Sequence, residues 1–139
     1  MTACADTGVE SAVREVKTDA TINDRLWQLL RFEATKADAS YSITNSNYYT
    51  LILLTNGSYR FRADCNRMQG AYRFESERRI AINPGAATLA ECGQESYYSD
   101  YLRQLGEVLQ FEVLEKTGQL KLITDKGQLI FEPAEPEVP

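Results

Sequence analysis

The sequence predicts an α+β domain, mainly antiparallel β: a strongly curved sheet or incomplete barrel with one packed α-helix. Three observations carry this. Apolar and aromatic residues alternate with polar ones in short runs, the two-residue period of a half-buried strand. Tight turn signals separate the runs, above all Asn56-Gly57, whose residues tolerate positive φ and favour antiparallel hairpins. One stretch, Gln94 to Leu105, instead places its apolar residues at helical spacing.

In chain order, Leu26 to Phe32 is the first expected strand, with Trp27 and Leu29 on one face. Residues 33 to 47 are polar and turn-rich and predict an exposed loop. Tyr48 to Thr55 is β-branched and aromatic enough for a second strand. In Ser58 to Asp64, Tyr59, Phe61 and Ala63 face one way with Cys65 in phase, and Ser58, Arg60, Arg62 and Asp64 face the other. Gly70 to Phe74 and Arg79 to Ile82 follow, ending at the Asn83-Pro84-Gly85 break. In the helix, Tyr97, Tyr98, Tyr101, Leu102 and Leu105 share one face, and Gly106 is a natural stop. Val108 to Leu114, Gln119 to Thr124 and Gln128 to Phe131 complete the strands, with turns at Lys116-Thr117-Gly118 and Asp125-Lys126-Gly127. Phase predicts a core of Trp27, Leu29, Tyr59, Phe61, Tyr72, Leu102, Leu105, Phe111, Leu122 and Phe131.

A length of 139 residues fits one domain. Residues 1–23 read as a polar N-terminal tether, in which Val9, Ala12, Val13 and Val16 allow a short amphipathic helix. Residues 24–132 form the domain, and 133–139 an acidic, proline-rich tail expected to be extended and disordered. The run Thr2-Ala3-Cys4 resembles the end of a bacterial lipoprotein signal, which makes Cys4 a candidate for lipidation and membrane anchoring; the alternative is an ordinary free cysteine.

The charge of −5 is poorly suited to nucleic acid, which needs a positive field. The chain has no histidine, which excludes Ser-His-Asp and Cys-His catalysis. Three widely spaced cysteines without CxxC do not read as a zinc site, and no phosphate or calcium loop is present. No catalytic residue, metal or cofactor is therefore expected. Six arginines crowd the window from Tyr59 to Arg79, which carries +3 while the rest of the chain carries −8. Arg60 and Arg62 share one strand face, and Arg73 lies opposite them if the register allows, as a patch for phospholipid headgroups or an acidic protein. The plainer alternative is a solvated face with local ion pairs.

The run Cys65-Asn66, then Gly70 and Tyr72, followed by Thr88, Cys92 and a helix, resembles the META domain family, which includes the heat-shock protein HslJ of bacteria. Trp27-x-Leu29 matches the family's opening, whereas Asp64 and Ala90 depart from its pattern. Cys65 and Cys92 are expected as neighbours, either a disulfide or paired thiols, and a redox pair is the functional alternative. Asn66, Gly70, Tyr72 and Thr88 are expected to fix one irregular corner. The leading expectation is a monomeric, non-enzymatic bacterial envelope domain of this type, in the periplasm or on the outer surface, serving stress tolerance or as a binding scaffold; the association with stress is what the resemblance implies. The domain's partner would be an unknown protein. The alternatives are a carrier of a small hydrophobic ligand inside a half-open barrel, where the helix tyrosines could line the pocket, and a thiol-dependent enzyme.

Overall fold

The computed structural model of the chain describes residues 22–134. Cys4, the expected tether helix and the tail from residue 135 onward lie outside the described residues. The strands are β1 (Leu26–Ala34), β2 (Tyr41–Ser42), β3 (Tyr49–Leu53), β4 (Ser58–Ala63), β5 (Asn66–Ser76), β6 (Arg79–Ile82) and β7 (Ala86–Ala87). Helix α1 (Tyr98–Gly106) follows, then β8 (Gln110–Val113), β9 (Leu120–Thr124) and β10 (Gly127–Pro133).

Eight of these strands form a ring in the order β1-β3-β4-β5-β6-β8-β9-β10, each antiparallel to the next. Strand β10 returns to pair with β1 from Gly127↔Ala34 to Pro133↔Trp27. The barrel is thus closed, a correction to the incomplete barrel expected from the sequence. Closure removes the exposed sheet edges that an open barrel would leave. The weakest seam lies between β6 and β8, which share the pair Arg79↔Gln110. Backbone bonds from Ile80 N–H to Leu109 O (3.1 Å) and from Phe111 N–H to Arg78 O (3.0 Å) extend it. Short strands β2 and β7 flank the ring on β1 and β5, and neither was expected.

Alternation fills the barrel. Trp27, Leu29, Leu51, Leu53, Tyr59, Ala63, Leu120, Leu122 and Phe131 are all fully buried. The space in which a hydrophobic ligand would sit is therefore occupied by side chains, which corrects the carrier reading. The expected domain boundary also moves. Ile22 is fully buried, and its carbonyl accepts the Trp27 indole N–H at 3.1 Å. At the other end Pro133 still pairs within β10, and Ala134 N–H donates to Leu26 O at 2.9 Å.

Helix α1 closes one end of the barrel. Tyr101 is fully buried, edge-on to Phe61 at 5.2 Å between ring centroids, with Tyr49 and Phe131 at 6.1 and 6.2 Å. Its hydroxyl donates to Thr50 O at 3.3 Å. Burial pushes the Tyr101 phenol well above its usual range, and burial raises Tyr59 in the same direction. The helix is one turn shorter than expected at its start, because Tyr97 N–H is taken by the Tyr49 hydroxyl at 3.1 Å. The inward stripe is then Tyr101, Gln104 and Leu105, and Leu102 is only partly buried, against expectation. Tyr97 leaves the stripe to stack on Tyr41 at 4.2 Å. The Tyr41 hydroxyl donates to Asp100 at 2.6 Å, and burial together with that carboxylate raises its pKa.

Candidate functional site

Two adjoining features are built around the start of β5: a stapled corner and a groove lined by arginines. The corner begins with a two-residue turn. Ala63 pairs with Asn66, so Asp64 and Cys65 alone connect β4 to β5. Asp64 adopts φ +60°, a left-handed conformation that aspartate tolerates better than most residues. The turn breaks the alternation of β4. Cys65 was expected to face inward with Ala63; it is exposed instead. The expected proximity to Cys92 nonetheless holds: the two form a disulfide with S–S 2.06 Å and Cα atoms 5.5 Å apart.

Asn66 is the centre of the corner, fully buried and polar. Its Oδ1 accepts Ala90 N–H at 2.7 Å and the Thr88 hydroxyl at 3.0 Å. Its Nδ2 donates to Ala90 O at 2.9 Å and lies 3.2 Å from Cys92 Sγ. An amide can accept and donate at once, and both faces are used here. Thr88 is bonded further to the backbone of Arg67: Arg67 N–H donates to Thr88 Oγ1 and Thr88 N–H to Arg67 O, both at 3.0 Å. Irregular chain from Thr88 to Cys92 is thus fixed at Thr88, Ala90 and Cys92. Leu89, between two fixed neighbours, is held out and is 79% exposed.

Gly70 and Tyr72 were expected in this corner too; they lie further along β5, where Gly70 meets Tyr59, Asn83 and Gly85 and Tyr72 bonds Leu54, so they serve the barrel wall and not the corner. A Cβ on Gly70 would lie 2.9 Å from the Tyr59 hydroxyl and 3.1 Å from both Asn83 O and Gly85 Cα. Only glycine lets the chain after β6 cross so closely. Tyr59 donates to Asn83 O at 2.6 Å and Tyr72 to Leu54 O at 2.8 Å, which ties the crossing chain and the β3–β4 turn to the barrel.

The groove, about 800 Å³, lies on the outer face of β3, β4, β5 and β7. Thr50, Ile52, Arg60, Arg62, Arg67 and Gln69 line it, with Thr88 at its edge. Register decides which arginines meet. Arg62 pairs with Arg67 and Arg60 with Gln69. Arg73, expected beside them, pairs instead with Ala81 on β6 and bonds Glu75 at 2.8 Å. The third member of the cluster is therefore Arg67, legible as one of the six arginines but placed only by the tight turn at Asp64-Cys65. Among the described residues no carboxylate lies within ion-pair distance of Arg60, Arg62 or Arg67. Like charges directly opposite on neighbouring strands are destabilising. Arg62 is held by its own contacts: Nε donates to Asp64 O at 2.8 Å, and its guanidinium lies 4.3 Å from the centre of the half-exposed Tyr48 ring. Tyr48 and Leu89 were not singled out by the sequence, because an isolated exposed apolar residue carries no periodic signal.

The family model for the META domain matches residues 20–136. No curated protein matches the chain. Among solved structures, the chain is similar to a protein from Burkholderia xenovorans determined by NMR, at 18% identity and TM-score 0.70, over 98% of this chain and 96% of that one. It is also similar to a DUF4847 family protein from Bacteroides vulgatus, at 11% identity and TM-score 0.59, over 86% of this chain and 99% of that one. At these identities the likeness is one of fold.

Proposed function

The chain belongs to the META domain family, and from that premise we propose that it is a non-enzymatic binding domain of the bacterial cell envelope, engaging an anionic partner through the arginine groove. The observation that carries this reading is the Arg62–Arg67 pair, opposed across two strands beside Arg60 with no carboxylate partner among the described residues. An arrangement that costs stability in isolation is relieved when an anion bridges it, and guanidinium groups bind carboxylate and phosphate in forked geometry. A non-enzymatic role is supported by the lack of histidine and by the use of both Cys65 and Cys92 in a crosslink. The envelope assignment is supported by that same disulfide, since such bonds persist in oxidising compartments. Resemblance to HslJ supports a part in stress tolerance, and the Thr2-Ala3-Cys4 run supports a lipid anchor.

Trapping thiols with an alkylating agent in intact cells, followed by fractionation, tests this reading. The expected result is protein in the envelope fraction with Cys65 and Cys92 protected from alkylation until reductant is added. Cytoplasmic protein with both thiols alkylated would refute it.

A further inference from the structure

We propose that the partner is a phospholipid surface bearing anionic headgroups, and that the stapled corner exists to hold Leu89 at that surface beside the arginines. The inference rests on the groove reading above and names its partner.

Four large apolar residues are exposed among those described: Tyr48, Leu89, Tyr97 and Leu109. Two of them flank the groove. Leu89 follows Thr88, which lines it, and Tyr48 lies under the guanidinium of Arg62. The combination of cations, an amphipathic aromatic ring and an exposed leucine is suited to the boundary between headgroups and acyl chains. Arginines meet phosphates there, the tyrosine sits at headgroup level, and leucine enters the apolar boundary. An acidic peptide would match the arginines but would give Leu89 nothing to do.

The rigidity of the corner argues the same way. Exposing an apolar side chain in water carries a cost that a mobile loop could reduce by folding back. Here the neighbours on both sides, Thr88 and Ala90, are bonded to the same buried Asn66 Oδ1, and the disulfide secures the end of the segment at Cys92. Leu89 is thus displayed in advance of binding, which lowers the ordering cost at the surface. The chain as a whole is negative, so Arg60, Arg62 and Arg67, gathered on the groove without ion-pair partners among the described residues, orient the molecule with this face towards an anionic membrane.

Vesicle flotation tests the proposal. The full chain would carry Cys4→Ser, so that no acyl group contributes. The lipids are phosphatidylcholine alone or mixed with phosphatidylglycerol. The chain is expected to float with the mixed vesicles and not with phosphatidylcholine, and binding should fall as salt rises. Replacing Arg60, Arg62 and Arg67 by glutamine should reduce partitioning roughly a hundredfold, about fivefold for each arginine. Leu89→Ser should reduce it about tenfold while leaving thermal unfolding unchanged. Arg73→Gln removes one positive charge outside the groove and should leave binding within about twofold of the parent. No flotation with phosphatidylglycerol, or an Arg73→Gln loss equal to that of Arg67→Gln, would overturn the proposal. Groove-dependent binding to polyglutamate without vesicle binding would also overturn it, while leaving the anionic-partner reading standing.

Discussion

Replacing Asn66 by alanine should unfasten the corner at a cost worked from its bonds. Three hydrogen bonds to oxygen and nitrogen partners disappear, two to Ala90 at 2.7 and 2.9 Å and one from Thr88 at 3.0 Å, together with a weak fourth to Cys92 Sγ at 3.2 Å. At about 1 kcal/mol each the first three total about 3 kcal/mol. Ala90 and Thr88 are exposed and can rebond to water, which reduces the loss. The cavity left by a fully buried side chain adds to it by an amount of order 1 kcal/mol. The expected net is about 3 kcal/mol, or a fall in Tm of roughly 10 °C for a chain this long. Urea unfolding followed by fluorescence of the buried Trp27 measures it. Asn66→Asp sharpens the test. Its second oxygen would face the Ala90 carbonyl, a contact that is favourable only when the carboxyl is protonated. Burial and that carbonyl should raise its folded pKa above the unfolded value of about 4. The contribution is then fully present below pH ~4 and lost as pH rises through the folded pKa. The Asn66→Asp chain should therefore lie closer to the parent in stability at pH 4 than at pH 7. A loss under about 1 kcal/mol for Asn66→Ala, or a pH-independent penalty for Asn66→Asp, would refute the reasoning.

Removing the disulfide with Cys65→Ser and Cys92→Ser opens a loop spanning 27 residues and should cost about 3–4 kcal/mol in urea unfolding, with the barrel still folded by circular dichroism. Gly85→Ala should cost more than about 2 kcal/mol, because its Cβ would lie 1.8 Å from Gln69 O and backbone would have to move; thermal melts compare it with the parent. The raised phenols of Tyr41, Tyr59 and Tyr101 leave stability unaffected below about pH 10 and erode it above, as the unfolded chain ionises first. Absorbance at alkaline pH should show these tyrosines ionising only together with unfolding, after the exposed ones.

Much of the barrel was legible because local pattern and tertiary packing agree. Tyr59, Phe61 and Ala63 alternate inward along β4 as their spacing predicts, and Asn56-Gly57 makes the hairpin, with Gly57 at φ +91°. Closure was not legible, since the pairing of β10 with β1 joins residues a hundred positions apart and leaves no local trace. Residues 66 to 69 were missed as strand because Asn-Arg-Met-Gln is polar and lies outside the alternating pattern; tertiary pairing with β4 fixes it. At the candidate site Asn66, Thr88, Cys65 and Cys92 meet as expected while Gly70 and Tyr72 do not, and two orientations were not legible. The Asp64-Cys65 turn reverses the phase at Cys65, and it slides the register so that Arg67 replaces Arg73 beside Arg62. In the helix, the start is set by the Tyr49 hydroxyl, which no helical periodicity encodes.

The measurement that tests the central claim most directly is an NMR titration of the full chain with a short-chain phosphatidylglycerol below its micelle concentration. The account predicts that amide signals move at Arg60, Arg62, Arg67, Thr88 and Leu89, on the outer face and the stapled corner. The Trp27 indole and the amides of Leu51 and Phe131, inside the filled barrel, should stay in place. Shifts confined to those interior residues would mean that lipid enters the barrel, and would contradict the account.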